Sequence, residues 1–277
     1  MKYSLKVGLL FLLAQCLAGC YSTLQMRYYP NANNVPLLQE KNEFKGTIMP
    51  TNFQTAYGVT DHFEIMLNGQ DNHLWGATEE DRIDANNSGW PSYKNHSTEY
   101  WDCKIIEGGV GYFTKMKNNK PLEFYAGYGM GQTLTDLRFQ HLSMNFNKVF
   151  LQSAYGWGEK KSDYILSGRI SYVNFYNFHP SNLDTTNGML LNSIQSFQPS
   201  KFNSLFFEPA FTFRSGSNLL KFHLQLGLSI PIIDGPTQTE SNNLTYIYQV
   251  FNLNLGLSIN LAPRFNKYVD LQKTMDK

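Results

Sequence analysis

Two stretches alternate apolar and polar residues without a break for eleven residues each, and they constrain the fold more than any other feature of the chain. In the first, Leu220, Phe222, Leu224, Leu226, Leu228 and Ile230 share one face, while Lys221, His223, Gln225, Gly227 and Ser229 share the other. In the second, Phe251, Leu253, Leu255, Leu257, Ile259 and Leu261 oppose Asn252, Asn254, Gly256, Ser258 and Asn260. A period of two belongs to extended backbone, so each stretch is a strand of a sheet with two unlike faces. Weaker versions recur at 43–49, 52–59, 63–70, 101–115, 121–135, 146–158, 163–177 and 204–214, which brings the number of strands to ten. No stretch beyond residue 20 sustains a 3.6-residue period, so no helix is expected there.

The connections alternate in length. Short ones fall at Thr60-Asp61-His62, Lys117-Asn118-Asn119, Lys160-Lys161 and Gly216-Ser217, with a tight turn at Pro50-Thr51. Long ones fall at 71–100, 136–145, 178–203 and 233–245. A one-residue slip would turn every side chain to the wrong face, so parity restricts the pairing. It predicts Tyr57 opposite Ile65, Tyr112 opposite Phe124, and Trp157 opposite Tyr164. A two-residue type II′ loop at Gly216-Ser217 would set Phe213 opposite Leu220 and Phe211 opposite Phe222.

Alternation leaves two barrels open. A soluble lipocalin-like barrel hides its apolar face around an apolar ligand, whereas a membrane barrel turns that face to lipid. Charged residues make up only 16% of the chain, against ~25% in soluble domains. The polar face is mostly Gly, Ser, Asn, Gln and Thr, which suits a crowded lumen, and the strands are long enough to cross hydrocarbon at a tilt. The expectation is an all-β, antiparallel up-and-down transmembrane β-barrel of about ten strands over 43–261, with short periplasmic turns and long outer loops. Tyr112, Phe124, Tyr155, Trp157, Tyr164 and Phe213 lie near short turns, as an interfacial aromatic girdle would. Glu64, Glu107, Glu123, Lys148, Arg169, Glu208, Arg214, Lys221 and His223 project into the lumen. Charges of both signs there either gate a passage or neutralise one another. Mutual neutralisation is favoured, because an unpaired buried charge is costly and a barrel this narrow is close to filled by side chains. Pro209 removes a ladder donor in mid-strand, for which a bulge is the expected remedy.

The N-terminus reads as an address. Lys2 and Lys6 precede the apolar run Val7 to Leu13, and Leu17-Ala18-Gly19-Cys20 resembles a bacterial lipobox. That resemblance implies a signal peptide over 1–19 and a diacylglycerol on the Cys20 thiol. Pro30, Asn31, Asn33, Asn34 and Pro36 break every period, so 20–42 reads as a lipidated N-terminus and periplasmic linker. Residues 262–277 read as a polar periplasmic tail. An even strand number puts both barrel termini on one side, which places the anchor in the periplasmic leaflet of a Gram-negative outer membrane. Without Lys2 and Lys6 the chain holds 21 basic and 22 acidic residues, so nucleic acid is not an expected partner. With Cys16 removed and Cys20 lipidated, Cys103 has no thiol to pair with.

Sites of chemistry are sparse. Asp84, Asn86, Ser88 and Gly89 match the first half of a calcium loop, but the twelfth position is Asn95 rather than Glu. A solvated acidic loop is the preferred reading, and no metal or other cofactor is expected. His141 with Ser143, and Asp71 with His73, sit at the predicted outer rim. No Gly-x-Ser-x-Gly or His-Glu-x-x-His occurs, so no enzyme is expected. Gly127, Gly129 and Gly131 read as small residues facing the lumen. The stretches Asn34-Val35-Pro36-Leu37-Leu38-Gln39-Glu40-Lys41-Asn42-Glu43, Gln54 to Thr60 and Ile65 to Gly69, with Glu208-Pro209, Arg214 and Lys221-Phe222, are similar to a group of outer-membrane β-barrel lipoproteins from Bacteroidota. The resemblance implies a barrel fold and an envelope address, and it carries no catalytic residue. The chain departs from many such barrels in not ending on a strand-terminal aromatic. The expected function is a lipid-anchored outer-membrane barrel with a structural, binding or narrow solute-passage role. The alternatives are a barrel enzyme acting on envelope lipid or peptide and a soluble periplasmic lipocalin-like lipoprotein that binds an apolar ligand.

Overall fold

The alternating segments do pair in sequence. A computed structural model describes residues 27–81, 94–116, 120–137, 140–159, 161–181, 201–233 and 247–263. A two-residue strand β1 (Arg27–Tyr28) precedes β2 (Phe44–Ile48), β3 (Asn52–Gly58), β4 (Phe63–Asp81), β5 (Lys94–Lys115) and β6 (Pro121–Leu137). These are followed by β7 (Gln140–Glu159), β8 (Ser162–Ser181), β9 (Lys201–Gly216), β10 (Leu220–Leu228), β11 (Ile230–Ile233), β12 (Ile247–Tyr248) and β13 (Phe251–Leu261). Each of β2 to β9 pairs antiparallel with the next, β10 joins β9 to β13, and β13 returns to β2. The result is the closed ten-strand antiparallel barrel that the alternation predicts, with β11 continuing along β9 beyond the end of β10.

Three hairpins take the predicted register: Tyr57 faces Ile65, Tyr112 faces Phe124 and Trp157 faces Tyr164. The fourth does not. Phe213 faces Leu224 and Phe211 faces Leu226, and Ser217 N–H closes a four-residue turn by donating to the Leu220 carbonyl at 2.8 Å. The slip from the expected pairing is an even number of residues, so it leaves every face unchanged and parity is blind to it. Pro209 is also met differently from expectation. Facing β8, it keeps regular register with Gly168, and facing β10 the ladder lapses between the Ala210–Gly227 and Phe207–Ile230 pairs without a register shift. The missing donor is absorbed by a gap in pairing, not a bulge.

The rim opposite the short turns is uneven. Strands β4 to β9 run well past the segments legible in the sequence, through parts of 71–100 and 178–203 that were expected to be loop. The expected loop at 136–145 is almost wholly strand, because β6 ends at Leu137 and β7 begins at Gln140. Alternation fades there because neither face of those extensions is uniformly apolar. On the β10, β13, β2 and β3 side the wall stays low. Outward positions around the barrel are apolar and exposed, among them Leu151 (63%), Leu166 (56%), Phe222 (45%) and Leu253 (53%). The polar positions between them are buried inside.

Candidate functional site: a lumen filled by its own N-terminal segment

The stretch read as a linker is not outside the barrel. Tyr28 and residues 30–38 are buried, and they run through the lumen as a largely extended chain, left-handed at Leu37, that joins no barrel ladder. At one end Tyr28 pairs with Tyr248, just before β13, and its carbonyl accepts from Gln249 N–H at 3.1 Å. At the other, Asn42 N–H donates to the Gly58 carbonyl at 2.8 Å beside the β3–β4 turn. A segment in this position has no strand partner for its peptide groups, and a buried carbonyl left unpaired costs about 1–3 kcal/mol. The barrel wall supplies the partners.

Every carbonyl from Tyr29 to Leu37 accepts a hydrogen bond from a barrel side chain. Gln70 Nε2 donates to Tyr29 at 3.3 Å, Asn252 Nδ2 to Pro30 at 2.9 Å and Arg169 Nη1 to Asn31 at 3.4 Å. The Ala32 oxygen receives Gln54 Nε2 at 2.8 Å and Arg169 Nη2 at 3.2 Å. Gln225 Nε2 reaches Asn33 at 2.9 Å, and Gln152 Nε2 reaches Asn34 at 2.6 Å. The two terminal nitrogens of Arg214 serve Val35 and Pro36, and Lys45 Nζ serves Leu37 at 2.6 Å. Acceptors complete the set. Gln225 Oε1 takes Asn33 N–H and Glu123 Oε1 takes Leu38 N–H, both at 2.8 Å, and Glu107 Oε2 takes Asn31 Nδ2 at 3.3 Å. Each of the ten barrel strands thus lends at least one polar side chain to the segment.

Beside these amides lies a set of four charges. Lys148 Nζ is 3.1 Å from Glu107 and 3.4 Å from Glu208, and Arg169 Nη1 is 3.5 Å and 3.9 Å from the same two carboxylates. Two cations and two anions cancel. The same carboxylates also accept from Ser171, which donates to Glu208 at 2.7 Å, from Tyr28, which donates to Glu208 at 3.4 Å, and from Asn68, which donates to Glu107 at 3.4 Å. Of the other residues expected in the lumen, Glu123 and Arg214 hold the segment's backbone. Lys221 pairs with Asp163 at 2.7 Å. His223 meets Ser258 at 3.2 Å, and Glu64 packs beside Tyr125 in space left by Gly111. All nine face inward, but only four form one network.

Apolar side chains fill what the polar ones leave. Tyr28 packs among Phe146, Phe175 and Phe206, Leu38 among Phe113, Tyr125 and Phe150, and Val35 and Leu37 against Ala154 and Ile165. The glycine run on β6 makes room for two of these rings. A Cβ on Gly127 would lie 2.2 Å from Phe150 Cζ, and one on Gly131 2.4 Å from Phe146 Cζ. Near the break at Pro209 a small recess, open on one side, is lined by Pro30, Asn33, Pro209, Gly227 and Leu228. It has room for about one water molecule, far less than a small-molecule ligand needs.

The six expected girdle residues lie on the outward face at the short-turn end. Tyr155, Trp157, Tyr164 and Phe213 form a continuous ring-to-ring series, with centroids 5.8, 6.3 and 5.3 Å apart. Tyr112 packs on Phe63 at 5.6 Å, and Phe124 is half exposed. The far edge of the apolar band is charged. His73 sits between Asp71 (3.1 Å) and Asp102 (2.6 Å), with Lys104 3.5 Å from Asp71. All four are on the outer surface, with no metal-binding cluster among the described residues. Ser143 lies on β7 on the partly exposed face, and His141 is placed in the same strand by backbone pairing with Asp136. Asp84, Asn86 and Ser88, like Cys20, lie outside the described residues.

The lumen segment is what sequence reasoning missed. Its signal was present: Pro30 and Pro36 lack the amide a ladder needs, and Asn31, Asn33 and Asn34 are rich in side-chain hydrogen-bonding groups. The same composition describes a linker, and one chain cannot be told from the other without knowing what surrounds it. No protein-family model matches this chain, and no curated protein matches it.

Proposed function

We propose that the chain is a lipid-anchored β-barrel of a Gram-negative outer membrane, closed by its own N-terminal segment, with a structural or binding role rather than one in open solute passage. The observation that carries this reading is the direction of the two faces. A continuous apolar band looks outward, bordered by aromatic rings at the short-turn end and by Asp71, His73, Asp102 and Lys104 at the other. Lipid satisfies such a surface, whereas water would leave far more contiguous apolar area exposed than soluble monomers carry. The lumen argues against a lipocalin-like carrier, because its centre is a neutral charge network and a bound peptide segment. The lipobox at Cys20 and the resemblance to Bacteroidota barrel lipoproteins support the same address.

The test is reconstitution. The purified mature chain inserted into planar bilayers is expected to give no stable conductance steps, and it should need detergent to stay monodisperse. A chain that is monodisperse without detergent would overturn the membrane reading, and a steady ohmic conductance would overturn the closed lumen.

A further inference from the structure

We propose that the lumen segment carries the lipid anchor to the rim opposite the short turns, so that the diacylglycerol on Cys20 lies in the leaflet across the membrane from those turns. The inference rests on the lipid-anchored barrel reading and adds a direction to it. With short turns in the periplasm, as in other outer-membrane barrels, the anchor is in the outer leaflet, at the cell surface. The even strand count alone implies the reverse, because β2 begins and β13 ends at the short-turn end. That argument holds for the barrel strands. It fails for the chain ahead of them, which turns back at Asn42 and passes up the lumen.

The path runs one way. Asn42 is held at the short-turn end by Gly58, Lys45 ties Leu37 close above, Gln152 and Gln225 tie Asn34 and Asn33 further along, and Asn252 ties Pro30 at the start of β13. Arg27 and Tyr28 run parallel to Ile247 and Tyr248, so the chain enters the lumen at Arg27 from the far end. The rim is lowest where β13 begins at Phe251, β2 ends at Ile48 and β3 begins at Asn52. Outward residues there are apolar up to the edge: Ile48 is 73% exposed and Val250 52%.

Cys20 precedes Arg27 by seven residues. At ~3.3–3.6 Å per residue a stretch of that length can reach about 25 Å from Arg27, enough for the acyl chains to pass the rim where it is lowest and enter the adjoining leaflet. Reaching the other leaflet from this rim would draw peptide groups through hydrocarbon with no partner, which membrane proteins avoid. Returning down the lumen is blocked by the segment itself. The arrangement also sets an order of assembly, since acyl chains cannot pass a filled lumen. The strands must close around a segment already in place.

Two full-length single-cysteine additions test this in cells, with the wild type as the blank because Cys103 is buried. Ser22→Cys reports the chain just after the lipid, and Lys161→Cys reports the β7–β8 turn. A membrane-impermeant maleimide is expected to label Ser22→Cys in intact cells, and Lys161→Cys at least tenfold less until the outer membrane is permeabilised. Labelling of both from the same side of an embedded barrel would overturn the threaded anchor while leaving the barrel standing. Recovery of the chain in the soluble fraction without detergent would instead overturn the membrane reading on which the proposal rests.

Discussion

A guanidinium with no exposed surface survives only where its N–H groups find oxygen, and Arg169 shows how the lumen meets that demand. Its Nε and Nη2 donate to Gln152 Oε1 at 3.0 and 2.9 Å, its terminal nitrogens reach the Asn31 and Ala32 carbonyls, and its charge faces Glu107 and Glu208. Removing it leaves the network with one net negative charge and the Asn31 carbonyl without its donor, while the Ala32 carbonyl keeps Gln54. Arg169→Met is therefore expected to destabilise the barrel by about 3–5 kcal/mol, read as a lower guanidinium midpoint for the fluorescence transition in detergent. Adding Glu107→Gln restores neutrality and should recover part of that loss. A single variant as stable as the wild type would mean that the network carries no weight. The inward direction of Arg169, Lys148, Glu107 and Glu208 was legible from parity alone. Their meeting in one network was not, because parity gives a face but not a height along the barrel.

Among elements, the lumen segment is the one whose role is most unlike its appearance in the sequence. A barrel of about eight strands is just filled by its own side chains. Ten strands leave space for one extended chain, and residues 28–38 take it. The segment is held mainly through its carbonyls, by donors from most of the strands, which is why no side-chain pattern along it announces the contact. Replacing residues 29–38 by a Gly-Ser stretch of equal length removes Val35, Leu37, Leu38 and three Asn side chains from the lumen. Discrete conductance steps are expected from that variant in planar bilayers, against none from the wild type. A variant that remains heat-modifiable, and so folded, yet stays silent would show that the wall alone closes the passage. The hairpin at β9–β10 teaches a related point. Its strands were correctly placed, but an even slip of register costs nothing in face parity, so turn length had to come from the structure.

The whole molecule inverts the usual relation of core and surface. Large apolar side chains cover its outer wall, while glutamines, asparagines and four charges occupy its centre along with three aromatic or aliphatic clusters. The closed antiparallel ring and its ten strands followed from periodicity. The uneven rim did not, since strand extensions such as Gln70 to Asp81 lose the apolar alternation once they rise beyond the band. The account stands on the apolar wall facing acyl chains, and a scan of spin labels along β13 tests that most directly. Labels placed one at a time from Leu253 to Leu257 in lipid vesicles should alternate. Those at Leu253, Leu255 and Leu257 should relax strongly with oxygen and weakly with a water-soluble nickel chelate, and those at Asn254 and Gly256 should be shielded from both. High nickel accessibility at the leucine positions, or no alternation at all, would contradict it.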